Sequence, residues 1–250
     1  SSVQKSAVPY LQDALCRNAW NIAPGARSII VRDVDRDVEF GAWEFDLTHF
    51  KATVVAAPQA AGARAEEWAK NSGAVFVING GYFDYDRKHE IKPDGLLVAG
   101  GATLHPLTRA LSGIFAVGSQ GARIAFTHDW PLAGNIASAL QSKPVLVHPG
   151  HVFGMRGDDG IRARRSAVCV MDPSHVMFIY VGGVGVTLFE LAKILVEPKG
   201  RGGLACDGAL NLDGGPSTQI SFNYRGSEFG RVGQNIANAI IVTERISGNE

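Results

Sequence analysis

The sequence predicts a strand-rich α+β fold in a single domain, 1–250. Three observations carry that prediction. Thirty of the 250 residues are glycine, well above the usual share of ~7%. Short apolar runs bounded by glycine recur along the chain, the pattern of strands joined by tight turns. Helical spacing is confined to a few segments. The expected architecture is a curved, mainly antiparallel or mixed β-sheet packed by a few helices.

The elements follow in order. Residues 8–20 place Leu11, Ala14, Leu15 and Ala19 at helical spacing, and Pro9 suits a first turn. After Asn21-Ile22-Ala23-Pro24-Gly25 the pattern changes to strands at 28–34, 42–47 and 52–57. Residues 62–72 predict a helix that Gly73 caps. The apolar run 75–78 fits a strand buried on both faces. Further strands are expected at 96–99, 113–117, 122–126, 144–148, 167–171, 176–181 and 236–242. A helix is expected over 132–141. Another is expected over 187–196, where Thr187 and Glu190 form a capping box and Leu188, Leu191, Ile194 and Leu195 share a face. The glycine- and charge-rich stretch 154–165 reads as a loop over a site rather than a domain boundary.

Composition excludes several classes. Hydrophobic residues at 46% and charged residues at 19% are globular values, not those of a disordered chain. Lys+Arg and Asp+Glu both number 24, so net charge gives no reason to expect nucleic acid or an anionic membrane. No apolar run approaches the ~18 residues of a membrane span. The chain starts Ser1-Ser2, with neither an initiator methionine nor an apolar leader, as a mature or trimmed chain would. Cys16, Cys169 and Cys206 match no zinc motif and read as small buried side chains.

Two segments carry chemistry in the same form: an apolar strand, a polar residue, then a glycine pair. The first is Val77-Ile78-Asn79-Gly80-Gly81-Tyr82-Phe83-Asp84. The second is Leu210-Asn211-Leu212-Asp213-Gly214-Gly215-Pro216-Ser217-Thr218. Glycine pairs permit positive φ and close approach of backbone to a ligand, and successive N–H groups can form an anion nest. Asn-Gly and Asp-Gly are equally the signal of a plain hairpin. Asp213, at a strand end, is a candidate general acid or base, or an Asx-turn former. Asp84 repeats the argument after the first glycine pair. Asp86, Glu90 and Asp94 read mostly as solvated loop. Among the basic residues, Arg156 and Arg162 read as solvated loop, whereas Arg165, at a strand entrance, suits capture of a phosphate or carboxylate. GxGxxG, P-loop, GxSxG and HExxH motifs are absent.

The order of these pieces resembles the phosphodiester glycosidase family. The pattern opens with Asn79-Gly80-Gly81-Tyr82-Phe83, where the family has Phe at the Tyr82 position. Pro93-Asp94-Gly95-Leu96 and Gln141-Ser142-Lys143-Pro144-Val145-Leu146-Val147 follow. Arg165-Ser166-Ala167 stands for the family's Arg-Thr-Ala, and Gly185–Ala192 for its Gly-x-Thr-Leu-x-Glu-Leu-Ala helix. Asn211-Leu212-Asp213-Gly214-Gly215-Pro216-Ser217-Thr218 matches the final signature, with Pro216 replacing a third glycine and so removing one N–H. The resemblance covers about residues 70–245; residues 1–60 are a variable lead-in.

The resemblance implies hydrolysis of a sugar-1-phosphodiester to a sugar and a phosphomonoester, without cofactor or metal. It implies a small-molecule or glycan phosphodiester as substrate, and a secreted or periplasmic protein like its exopolysaccharide-related bacterial relatives. It assigns Asp213, Asp84 and Arg165 to catalysis, with Asp213 as base, nucleophile or orienting group. It assigns Asn79, Gly80, Gly81, Asn211, Gly214, Gly215, Ser217 and Thr218 to substrate binding, with the glycine N–H groups on the phosphate. A glycan- or cell-wall-binding domain on the same scaffold, or a hydrolase of another anionic glycan, are the competing readings.

Overall fold

The computed structural model describes residues 5–246, so Ser1 and Ser2 lie outside the described residues. Among the described residues it is an α+β fold of three α-helices and twenty strands. All strand pairs are antiparallel, in one eight-stranded sheet, two five-stranded sheets and a two-stranded ribbon.

The eight-stranded sheet runs in the spatial order Asn21–Ala23, Ala26–Asp33, Val38–Asp46, His175–Val186, Ala163–Asp172, Gly208–Asn211, Val145–His148, Val152–Phe153. One face carries Val38, Phe40, Ala167, Cys169 and Ile179, which pack with helices Val8–Arg17 and Leu188–Val196. The first helix buries Val8, Leu11 and Leu15 there. The second buries Leu191, Ile194 and Leu195, while Leu188 is half-buried. Its capping box forms as expected: Glu190 N–H donates to Thr187 Oγ1 at 3.1 Å, and Thr187 N–H to Glu190 Oε2 at 2.9 Å. Two orphan donors are thereby satisfied reciprocally.

The other face packs on both five-stranded sheets through Trp43, Phe45, Phe178, Phe76, Phe115 and Phe222. Phe76 stacks on Phe178 with ring centroids 5.1 Å apart. One of these sheets has the order Ser227–Arg231, Ile220–Tyr224, Phe76–Asn79, Asn238–Glu244, Phe50–Ala56. It carries the short helix Ala65–Ser72, which Gly73 ends in the left-handed region as expected. The other has the order Gly121–Phe126, Gly113–Gly118, Ile136–Ser142, Leu97–Ala99, Ala102–His105.

Two expectations need correction. Residues 132–141 are not a helix; Ile136–Ser142 is the central strand of the last sheet. Its polar side chains are tied to neighbouring backbone. Ser138 Oγ accepts Val54 N–H at 3.0 Å, and Gln141 Oε1 accepts Leu96 N–H at 3.0 Å and Thr108 N–H at 3.1 Å. Packing overrides the helix propensity of Ala and Leu here. The cysteines are not all free: Cys169 and Cys206, both fully buried, form a disulfide, and Cys16 is the free thiol. The bond ties strand Ala163–Asp172 to the segment entering strand Gly208–Asn211, and those two strands deliver Arg165 and Asp213.

The candidate active site

The two glycine turns leave different sheets and meet. Asn79 Nδ2 donates to the Asp213 carbonyl at 2.7 Å, and Asp213 N–H donates to the Gly80 carbonyl at 3.0 Å. Asn79 Oδ1 accepts the Ser166 hydroxyl at 2.6 Å and Gln219 N–H at 3.2 Å. Asn79 is fully buried. Its amide therefore welds three segments together, which corrects its expected role as a direct ligand of substrate.

The glycines also act differently from expectation. Gly80 and Gly81 do not adopt positive φ. They are required by space: a Cβ on Gly80 would lie 2.0 Å from Asn238 Oδ1, and one on Gly81 2.9 Å from the Gln141 carbonyl. Gly80 N–H donates to the Asn238 carbonyl at 3.0 Å and Gly81 N–H to Asn238 Oδ1 at 2.7 Å. Gly214 N–H donates to Asp213 Oδ1 at 2.8 Å. Three of the four N–H groups expected on a phosphate are thus turned inwards. Among the described residues only that of Gly215, at φ +56°, has no protein partner.

The Asp213 carboxyl is half-buried. Burial pushes its pKa above the usual carboxylate range; the Ser217 hydroxyl and Gly214 N–H oppose that rise, and the charge of Asp94 adds to it. Ser217 is buried, and its oxygen also accepts Gln234 Nε2–H at 3.0 Å. Thr218, the next residue, is fully buried with no partner for Oγ1. Asn211 lies beneath: its Nδ2 donates to Tyr82 Oη and to the Lys143 carbonyl, each at 3.0 Å, while its Oδ1 has no partner.

Arg165 completes the group. The ladder pairs Ala167 with Asn211, and Leu212 N–H donates to the Ser166 carbonyl at 2.9 Å. That register, continued, sets Arg165 alongside Asp213. The guanidinium is half-buried and donates only to carbonyls, Nε to Val186 at 3.0 Å and Nη2 to Ile161 at 2.8 Å. No carboxylate pairs with it among the described residues. Burial pulls its pKa below the ordinary arginine value, against the nearby Tyr82 and Asp159. A half-buried cation without a counter-ion is a ready anion site.

Sequence reasoning missed two members. Asp94 follows the ribbon Phe83–Tyr85/Ile91–Pro93, held by its N–H to the Tyr82 carbonyl at 2.9 Å. Desolvation raises its pKa, Asp84 adds to the rise, and His105 opposes it. Asp84 is exposed on the ribbon, and its Oδ1 accepts Tyr85 N–H at 2.8 Å. Asp94 thus stands electrostatically between Asp84 and Asp213, and the Pro93-Asp94-Gly95 turn was its available signal. Tyr82 is the other: burial raises its phenol pKa, Asp213 adds to it and Arg165 opposes it, so its ring lies among the charges of the site. Arg162 also needs correction. It is not a solvated loop residue but pairs with buried Glu190 at 2.9 Å. Among the described residues no three His, Cys, Asp or Glu side chains cluster as metal ligands would.

The family model for phosphodiester glycosidases matches residues 72–243. No curated protein matches the sequence. Among solved structures, the chain resembles the zebrafish N-acetylglucosamine-1-phosphodiester alpha-N-acetylglucosaminidase catalytic domain, auto-inhibited by its pro-peptide. The TM-score is 0.67 at 17% identity, covering 90% of this chain and 85% of that one. A hypothetical protein from Synechocystis gives 0.58 at 14% identity, covering 90% and 63%. A Burkholderia pseudomallei protein provisionally described as exported gives 0.56 at 10% identity, covering 82% and 74%. At these identities the structural likenesses show a shared fold.

Proposed function

The chain belongs to the phosphodiester glycosidase family, and on that premise we propose that the Asp213 site hydrolyses a sugar-1-phosphodiester to a sugar and a phosphomonoester. The observation that carries the reading is the presence of an uncompensated, half-buried guanidinium, Arg165, on the strand position opposite a desolvated carboxyl, Asp213.

Cleavage of the anomeric C–O bond passes through an oxocarbenium-like state. The phosphate departs with the bonding electron pair and is stable as an anion, so it needs charge neutralisation more than a proton. Arg165 supplies that charge through its unengaged N–H positions, beside the Gly215 N–H. Water adds its oxygen to the anomeric carbon and passes a proton to the Asp213 carboxylate, which releases it to solvent. Asp213, ionised, faces that carbon as the carboxylate of the reaction, held by Ser217 and Gly214. Asp94 takes the part of second carboxyl that the sequence gave to Asp84, because it is Asp94 whose charge reaches Asp213. Asn211 and Thr218 line the site with buried polar atoms, and Asn79, Gly80 and Gly81 hold its shape.

The same reading makes the protein secreted or periplasmic. What supports it is the buried Cys169–Cys206 bond, since such bonds persist mainly in oxidising compartments.

The test is a panel of chromogenic sugar-1-phosphodiesters assayed with wild type and Arg165→Ala. Release of phosphomonoester is expected from at least one substrate. Its kcat/KM should fall in Arg165→Ala by about 10–150-fold, the equivalent of a charge-assisted contact of roughly 1.5–3 kcal/mol. Glycan binding without turnover on any substrate would favour a binding domain instead. Equal turnover by Arg165→Ala would remove Arg165 as the phosphate ligand.

A further inference from the structure

Arg164 sits where the ladder shifts register between Ala163 and Arg165, and the two arginine side chains line different sites. Arg165 faces the hydrolytic site. Arg164 instead lines a cleft of about 570 Å³ with Arg32, Glu39, Tyr180, Gly183 and Arg231. That volume is within the ~300–1,000 Å³ of small-molecule sites. The Arg164 carbonyl lies against Gly214, where a Cβ would come within 2.7 Å of it. The Arg164 backbone thus abuts the turn that bears Asp213.

The cleft wall is built and charged. Arg231 grips Glu39 through two bonds, Nε to Oε1 and Nη2 to Oε2, both 2.8 Å, and its guanidinium lies 4.1 Å over the Phe229 ring. Arg32 Nε adds a third bond to Glu39 at 2.6 Å. Burial pushes the Glu39 carboxyl up, but the two guanidiniums outweigh this and keep it ionised. Asp33 is matched by Arg36 at 2.9 Å. Arg164 has no carboxylate partner among the described residues. The lining itself is balanced, Arg32, Arg164 and Arg231 against Asp33, Asp37 and Glu39, and Arg36, which neutralises Asp33 from outside the lining, leaves one cation in excess. The floor at Gly183 is bare backbone, and Tyr180 lies across Gly182, where a Cβ would be 2.3 Å from its hydroxyl. Arg231 also lines a second cleft of about 250 Å³, with Ser221, Gln219, Arg64 and Glu66.

We propose that this double cleft is a second binding site, for an oligosaccharide carrying an acidic group that Arg164 receives. An inorganic anion would fill a small part of it. The charged, hydrogen-bonding lining disfavours an apolar ligand, and donors and acceptors spread over two neighbouring clefts that share Arg231 match a chain of hydroxyl groups. The acidic group is a carboxylate or a phosphate. The proposal rests on the cleft and not on the hydrolase reading.

Calorimetric titration of the wild-type protein tests it with tetragalacturonate, terminally phosphorylated maltotetraose, neutral maltotetraose and a hexa-aspartate peptide. At least one acidic oligosaccharide should bind about tenfold or more tightly than neutral maltotetraose, and comparison of the two acids identifies the group. Arg164→Ala should weaken that binding about 10–150-fold, with turnover at the Asp213 site unchanged. Arg32→Ala, whose side chain is 59% exposed, should fold normally and weaken it too. Absence of binding at millimolar oligosaccharide would overturn the proposal. So would equal binding of the neutral chain, tighter binding of the peptide, or affinity unmoved in both variants.

Discussion

Replacing Asp213 by asparagine exchanges one carboxylate oxygen for an amide and removes one negative charge. The local geometry can survive. The amide oxygen can accept the Gly214 N–H and Ser217 hydroxyl that hold the carboxylate, and asparagine supports the same kind of turn. Stability should not fall. The folded carboxyl titrates above its unfolded value, so ionised Asp213 is disfavoured by folding; its stabilising, protonated form is lost as pH rises through the folded pKa. At neutral pH the neutral amide relieves that cost, and Tm should be unchanged or a few degrees higher, at about 2–4 °C per kcal/mol for this chain length. Turnover should fall by about 10²–10⁴. The wild-type rate should also decline on the acid side as Asp213 protonates, with a midpoint above that of an ordinary aspartate. Thermal melting and single-turnover hydrolysis on one preparation decide the matter. A folded variant with near wild-type turnover, or one that loses rate only as it loses Tm, refutes the assignment.

Arg162→Ala leaves buried Glu190 without its cation, so the protein should lose about 1–3 kcal/mol in denaturant unfolding, with kcat/KM of the folded fraction unchanged. Gly80→Ala puts a methyl 2.0 Å from Asn238 Oδ1; a loss of more than about 2 kcal/mol, or insoluble expression, is expected, and a stable, active variant would contradict the described turn. Thiol titration of the denatured protein should find one group before reduction, Cys16, and three after.

Much of the fold is legible because the signals are local. The capping box at Thr187, the left-handed Gly73 and the doubly buried run ending at Ile78 each follow from a few adjacent residues. Ile136–Ser142 is not legible. Its Ala, Leu and Gln suit a helix, and only distant segments supply partners, strand Phe50–Ala56 for Ser138 and the loop at Thr108 for Gln141. The hairpin of Ile220–Tyr224 and Ser227–Arg231 turns at Arg225-Gly226, both with positive φ, without the Asn-Gly or Asp-Gly pair that advertises such a turn. At the site, the motif residues lie where the patterns put them, but their roles do not follow from spacing. Which way an N–H points, as at Gly81, depends on Asn238, far along the chain. The Cys169–Cys206 pair was hidden for the same reason: connectivity follows from the ladder between strands Ala163–Asp172 and Gly208–Asn211.

The weld between Asn79 and Asp213 also has a kinetic consequence. Its Asn79–Asp213 bond joins residues 134 positions apart, at the ends of strands of two different sheets, so no single hairpin or sheet can pre-form it. Closing so long a loop must precede any reward from the contact. Recovery of activity on refolding should therefore lag behind recovery of strand signal in far-ultraviolet circular dichroism. In the native state, the Asp213 amide should exchange its hydrogen only through openings large enough to part the sheets. Activity then becomes a reporter of the whole assembled barrier between folded and unfolded chain, rather than of one loop.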